Sequence, residues 1–272
     1  MLEGNFKLLD ELHHFTSGIK AIATSYAYTG IDELRQACGG AGFTLASGIA
    51  DIWQDIAPYS TFEGVNVVMA QQSSRYVLKQ AKKAAKGQEC TGFFSYINHL
   101  NSVCNSKSEA KTAAQFSSID HLDLAMKINA ASQLKRTFEL LNSSDKHEKI
   151  KQNDIFADEV QRLTQLHLKY VMFMMARQRI EENNFADPAI PQILLLLIRV
   201  YALKEILRDN QLLYEEGFFG KGSVKLLNDA FNETLLELRP HMIPLVELTD
   251  LSKEDAWNVS TIGNKFGDIY ET

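Results

Sequence analysis

Cysteine, proline and clustered positive charge are all scarce in this sequence, and each shortage excludes something. The three cysteines, Cys38, Cys90 and Cys104, are an odd number without CxxC spacing. They outline neither a disulfide framework nor a cysteine zinc site, and they suit a reducing compartment. Only five prolines occur in 272 residues, and the fifteen glycines gather at a few places. Long stretches are therefore free of helix breakers, which favours an all-α architecture over strands punctuated by regular turns. Lys and Arg number 28 against 34 Asp and Glu, for a net charge of -6. Without a basic surplus there is no footprint for displacing counterions from phosphates, so nucleic acid is not an expected partner. Long hydrophobic runs are missing as well. The most apolar one, residues 190–200, contains Pro191 and Gln192 and falls short of the roughly 20 residues a bilayer requires. It reads as a buried helix, and no membrane span is expected. Neither Met1-Leu2-Glu3-Gly4-Asn5 nor Ile269-Tyr270-Glu271-Thr272 reads as an address signal. The first lacks a basic or apolar run and the second differs from a Ser-Lys-Leu tripeptide.

What the chain has in quantity is apolar surface at helical spacing. Hydrophobic residues make up 45% of it, enough for a sizeable core without staples. Leu8, Leu9, Leu12, Phe15, Ile19, Ile22 and Tyr26 predict a helix over 6–28 that Gly30 ends. A second, short helix over 29–38 opens on Asp32 and Glu33, whose carboxylates suit the positive end of the dipole. Residues 49–56 predict two turns closed by Pro58. Ser60 or Thr61 is placed to cap a helix over 67–86 that ends in the solvated basic cluster Lys82, Lys83 and Lys86. A short helix is expected at 93–100. The Ser-, Asn- and Lys-rich linker 101–118 then divides a first helical bundle domain (1–100) from a second helical domain (119–272). Further periodic stretches lie at 122–141, 155–182, 190–210 and 224–238, with a polar connection at 142–153. Asp187, ahead of Pro188 and Pro191, is a candidate cap for the third of these. The expected fold is all-α, an up-and-down bundle followed by a second helical domain. His13, His14, His99, His121, His147, His167 and His241 show no ligand spacing, so no metal site is expected. Met172, Met174 and Met175 beside Phe173 read as core filler.

Candidate chemistry concentrates in residues 36–66. The string Arg35-Gln36-Ala37-Cys38-Gly39-Gly40-Ala41-Gly42-Phe43 is followed by Ala46-Ser47-Gly48-Ile49. Thr61-Phe62-Glu63-Gly64-Val65-Asn66 and Gln72-Ser73-Ser74-Arg75-Tyr76 come next. On the residues alone, Gly39-Gly40 is a helix C-cap or a stretch of bare backbone that a ligand can approach. Glu63 alone is a helix N-terminal glutamate favoured by the dipole. As an ordered set, however, these strings resemble the C-terminal half of an acyl-CoA oxidase. Leu238-Arg239-Pro240 and Phe266-Gly267-Asp268-Ile269-Tyr270-Glu271 extend the likeness to the end of the chain.

The resemblance implies that Glu63 is the catalytic base. Flavin-linked α,β-oxidation of an acyl thioester needs a carboxylate to take the α-proton while the β-hydrogen leaves as hydride. It also implies FAD contacts at Gln36, Gly39, Gly40 and Asn66, with Gln36 and the two glycines against the FAD of a neighbouring subunit, where bare N–H groups suit a pyrophosphate. Two positions depart from the family's usual pattern: Ala41 stands where a histidine is usual, and Val65 where an acidic residue is. The N-terminal helical domain and middle β-domain that supply much of the family's flavin and acyl-CoA pocket are not in this sequence, so the chain alone is expected to be inactive. Two functions are compatible with these features. One is a non-catalytic structural or interaction subunit of a larger assembly. The other is half of a split or processed oxidase of fatty-acid β-oxidation, acting on acyl-CoA and holding FAD only when a complementary N-terminal half is present. A protein partner or homodimer is expected in either case, in a peroxisome or mitochondrion.

Overall fold

The first helix does not stop at Gly30. In the computed structural model, which describes residues 8–248, α1 runs unbroken over Leu9–Ala37. The two helices expected at 6–28 and 29–38 are therefore one, and the expected start at Phe6 lies outside the described residues. A glycine costs a helix interior about 1 kcal/mol relative to alanine. Flanking bonds carry the helix through it: Thr29 Oγ1 donates to Ser25 O at 2.8 Å, and Asp32 accepts from Arg35 and Gln36 one turn on. Next come α2 (Ile49–Ile56) and α3 (Asn66–Ala84). Ser60 and Thr61 do not cap α3. Each hydroxyl donates instead, at 2.9 Å, to the carbonyl three residues back, fastening a 3-10 turn over Ala57–Ser60.

The chain continues through α4 (Leu100–Cys104), α5 (Ala113–Phe116), α6 (Ile119–Asn142), α7 (Glu148–Ile150) and α8 (Ala157–Glu182). It ends its described part with α9 (Ala189–Arg208), α10 (Gln211–Glu215), α11 (Ser223–Leu238) and α12 (Met242–Glu247). No strand occurs among the described residues. Asp187 does meet α9, its Oδ1 accepting from Ala189 N at 2.8 Å. The residues 266–271 that extend the likeness lie outside the described part.

Side-chain pairs give the directions of the long helices. His14 meets Ser73 while Lys20 meets Asn66, so α1 and α3 are antiparallel. Gln133 reaches Glu159 while Arg177 reaches Asp120, so α6 and α8 are antiparallel too. Tyr201 bonds Lys169 O while Arg162 pairs with Asp209, which turns α9 back along α8, and α11 packs on α9 through Arg199 and Glu237. One core cluster joins Leu78 of α3, Leu134 of α6, Phe173 of α8, Leu203 of α9 and Leu227 of α11. It is continuous across residues 101–118, where Cys104 and Phe116 are each 1% exposed.

Two polar or apolar stretches behave differently from their composition. In 142–153, Lys151 is buried, and its Nζ donates to Leu141 O at 2.6 Å and Ser144 O at 3.2 Å. It thereby satisfies a carbonyl at the α6 C-terminus that has no helical donor. The apolar run 190–200 is not a buried helix: only Ile198 in it is buried, and Ile190 is 42% exposed. α9 packs against α6, α8 and α11, and most of the run is half-buried rather than enclosed.

Gly18 sets the spacing where α1 meets α3 and α8. A β-carbon there would run into Leu168 of α8 and Ser73 of α3. Gly18→Val is expected to wedge the three helices apart and cost about 1–3 kcal/mol, read as a lower urea midpoint at an unchanged m-value. An unchanged midpoint would mean that this junction has slack.

Candidate active site

α1 is the platform for every residue singled out in 36–66. Glu63 lies in the turn between the 3-10 segment and α3, so it is not a first-turn helix residue. Its φ is 55°, the one positive value at a non-glycine among the described residues, a conformation that costs about 1–2 kcal/mol when a β-carbon is present. Gly64 follows at 99°, and a β-carbon there would meet the side chain of Met69. The turn is tied down from α1. Lys20 Nζ donates to Gly64 O at 2.6 Å and to Asn66 Oδ1 at 2.9 Å. Asn66 Nδ2 in turn donates to Ala21 O, Thr24 Oγ1 and Ser25 Oγ at 3.2, 2.9 and 3.1 Å. The Glu63 side chain is exposed, and no hydrogen bond or ion pair joins it to another described residue. It is a carboxylate aimed outward from a fixed mount.

The glycine turn closes the other end of α1. Gly39 has φ 60°, and at neither Gly39 nor Gly40 would an added β-carbon find anything within 4 Å. Both present open backbone. Gly42 is the opposite case: it is buried, and a β-carbon would run into the carbonyl of Arg35. Gly42 thus seals the turn onto the last turn of α1, a packing role that the sequence string contained but did not distinguish from its neighbours. Gln36 Nε2 donates to Asp32 Oδ2 at 2.7 Å. Trp53 of α2 stacks on Tyr28 at 5.3 Å between centroids and carries the Arg35 guanidinium over its face, which pins the intervening segment. From Lys20 to Gln36 the helix advances about 24 Å at 1.5 Å per residue. The Glu63 turn and the glycine turn are therefore separate stations on one rod. Gly39 and Gly40 leave room for the approach of a pyrophosphate, while the Asn66 amide is bonded to α1 at both ends and lies under the Glu63 turn.

A cavity of about 340 Å³ opens beside Asn66, bounded by Ser25, Tyr26, Thr164, Lys169 and Arg208. Its cations are already paired, Lys169 with Glu205 at 2.6 Å and Arg208 with Glu33 at 3.0 Å. Burial, with Tyr201 and Glu205 nearby, holds the Tyr26 hydroxyl far above the ordinary tyrosine pKa. Away from this side, His14 of α1 and His167 of α8 face each other at 5.2 Å between ring centroids. His14 Nδ1 bonds Ser73 O at 2.8 Å, and His167 Nδ1 meets Tyr96 Oη at 2.9 Å. Burial pulls the His14 pKa down to about 4 and that of His167 well below the usual value. His121, stacked on Phe218 at 5.4 Å, is likewise lowered by burial to about 4. Ligand spacing was the wrong filter for these residues, whose shared property is enclosure by aromatic rings.

Comparison with known proteins gives these features a family. Residues 1–78 match the family model for the acyl-CoA oxidase C-alpha1 domain, and residues 118–272 match the model for acyl-CoA oxidase. Peroxisomal acyl-coenzyme A oxidase 1 of Mus musculus is 29% identical over 274 residues, covering 99% of this chain and 41% of its own length. The protein of the same name from Phascolarctos cinereus is 30% identical over 275 residues, with the same coverage. An acyl-CoA oxidase from tomato (Lycopersicon esculentum) superposes with a TM-score of 0.90 at 23% identity, over 98% of this chain and 40% of that one. Acyl-CoA oxidase-1 of Caenorhabditis elegans, solved with FAD and ATP, superposes at 0.85 and 25%, over 100% of this chain and 40% of that one. The chain thus spans 41% of the length of the curated relatives it matches. With its all-α fold shared and a family model covering residues 118–272, more than half of its length, the chain belongs to the acyl-CoA oxidase family.

Proposed function

We propose that the chain is the base-bearing C-terminal portion of a flavin-dependent acyl-CoA oxidase. Glu63 takes the α-proton, and N-terminal segments like those in the rest of its relatives' length complete the flavin and acyl-CoA pocket. The observation that carries this reading is the exposed, unpaired Glu63 carboxylate on a strained turn clasped to α1. Such strain persists only where the surroundings over-determine it, and it gathers where a group must be aimed. In this reading Glu63 accepts the α-proton of the acyl thioester through a carboxylate oxygen. Gly39 and Gly40 offer unobstructed backbone to the pyrophosphate, and α1 fixes the distance between the two. When bound, FAD supplies the hydride acceptor and passes its electrons to oxygen, giving hydrogen peroxide. The relatives are named as peroxisomal, and we assign the chain to that compartment.

Mixing the chain with a separately produced N-terminal acyl-CoA oxidase half is the direct test. A one-to-one complex by native mass, with flavin absorbance and acyl-CoA-dependent peroxide, is the expected result. A complex that neither takes up flavin nor forms peroxide would remove the oxidase assignment.

A second reading, a non-catalytic interaction subunit, draws on specific positions. Val65 leaves α3 without a side-chain cap, where an acidic residue would accept from its first amides. Around the glycine turn Phe43 is 78% and Leu45 70% exposed, apolar area of the kind that marks a contact surface. Recovery of the native complex with partners but no flavin would favour this reading.

A further inference from the structure

We infer that Lys20 is the positioning residue for Glu63: its ammonium, projecting from the middle of α1, holds the base's turn in the left-handed conformation. This rests on the reading of Glu63 as the base. Lys20 is half-buried and, unlike most engaged lysines among the described residues, has no carboxylate partner, a trait it shares with Lys107, whose Nζ donates to Glu216 O. Lys79, Lys82, Lys127, Lys169, Lys204 and Lys225 each lie within salt-bridge distance of a carboxylate. Lys20 bonds only neutral oxygens, the Gly64 carbonyl and the Asn66 side chain. Those two acceptors bracket the end of the strained turn, one directly after Glu63 and the other at the first residue of α3.

The chemistry of the clasp explains the strain. A carbonyl accepting from a cation makes a stronger bond than one accepting from a neutral donor. The Gly64 carbonyl is therefore fixed in direction, and with it the peptide plane that follows. Asn66 is fixed independently through Ala21, Thr24 and Ser25, so one turn and a half of α1 holds both sides. Released from Lys20, Glu63 would relax to negative φ, the favoured state of any residue with a β-carbon. Its Cα–Cβ bond, and hence the carboxylate, would then point elsewhere. Salt-bridge patterns would not reveal such a lysine, because its partners are backbone and amide oxygens.

The one-bond Cα–Hα coupling of Glu63 in isotopically labelled chain reports the sign of φ directly. Wild type, Glu63→Gln and Lys20→Arg are expected to keep the left-handed value, and Lys20→Met to lose it. In the flavin-loaded complex with the N-terminal half, Lys20→Met is expected to lower kcat about 10²-fold, as a displaced catalytic group does. KM for acyl-CoA should stay unchanged, and Lys20→Arg should restore most of the rate. Lys20→Gln, which keeps polarity without charge, takes the place of Lys20→Met if that variant does not fold. A left-handed Glu63 in the uncharged variant, or a wild-type kcat there, overturns the inference. Full peroxide formation by Glu63→Gln overturns instead the reading of Glu63 as base, and the coupling measurement then decides the clasp on its own.

Discussion

Glu63→Gln is expected to lower the kcat of the flavin-loaded complex by about 10²–10⁴-fold, the range that a positioned general base contributes. The substitution is close to isosteric. The side chain is exposed and has no partner among the described residues, so no folded-state contact is lost with the charge. The melting temperature, the flavin absorbance and the affinity for acyl-CoA should therefore stay at wild-type values while proton abstraction fails. Exchange of α-deuterium from labelled acyl-CoA into solvent isolates that step from hydride transfer and from oxygen. Glu63→Asp separates charge from reach: it keeps a carboxylate but withdraws it by one methylene, and an intermediate rate is expected. If Glu63→Gln kept more than about a tenth of the activity, smaller than any loss in that range, another group would be taking the proton.

Acid should destabilise the fold well before its carboxylates are protonated. His14 and His121 titrate near 4 in the folded chain and His167 also lies below its usual value, against about 6.5 when unfolded. Because the folded values are depressed, the unfolded chain takes up protons first as the pH falls. The stability these rings contribute is complete above about pH 7.5 and drains away between about 6.5 and 4. At pH 5, His14 alone accounts for about 2 kcal/mol at 1.36 kcal/mol per pH unit, and the less enclosed His121 for about half of that. Asp10, Asp32 and Glu148, held low by hydrogen bonds from Lys79, Arg35 and Lys82 respectively, add their losses only at lower pH. Urea midpoints at pH 7.5 and 5.0 and constant ionic strength measure the difference. His121→Phe should make the curve shallower, and equal midpoints at the two pH values would mean that the histidines are not enclosed as neutral rings.

Much of this fold is legible in the sequence because helical periodicity is local. Residues 49–56, 122–141 and 224–238 fall within three residues of α2, α6 and α11. What escapes is whatever depends on particular side-chain bonds or on a partner far along the chain. Gly30 looks like a helix end until Asp32, Arg35 and Gln36 are seen bonding across the next turn. Gly18 looks unremarkable until α3 and α8 arrive on either side of it. The run at 190–200 is mostly apolar, with Gln192 and Arg199 as exceptions, and composition cannot say how deeply it is enclosed. In the candidate site, the ordered strings marked Glu63 and the glycines, and Gly64 after Glu63 was a legible sign of a turn. The clasp is fainter, carried by Lys20 and Thr24 four residues apart on a helix face that also holds Thr16 and Ser17. That spacing has meaning only once Asn66 is known to sit opposite.

The unbroken α1 also makes residue count a matter of angle as well as length. Because no joint interrupts the helix at Gly30, the glycine turn is set relative to the base turn by the number of residues between Lys20 and Gln36. One residue added or removed there would shift the glycines by only about 1.5 Å along the axis but swing them by about 100° around it. An insertion in the non-helical stretch after α4 changes a loop, whereas one in the second half of α1 carries Gly39 and Gly40 to another side of the molecule. Tolerance to length variation should therefore be lowest between Ser25 and Gln36, where no candidate site residue lies.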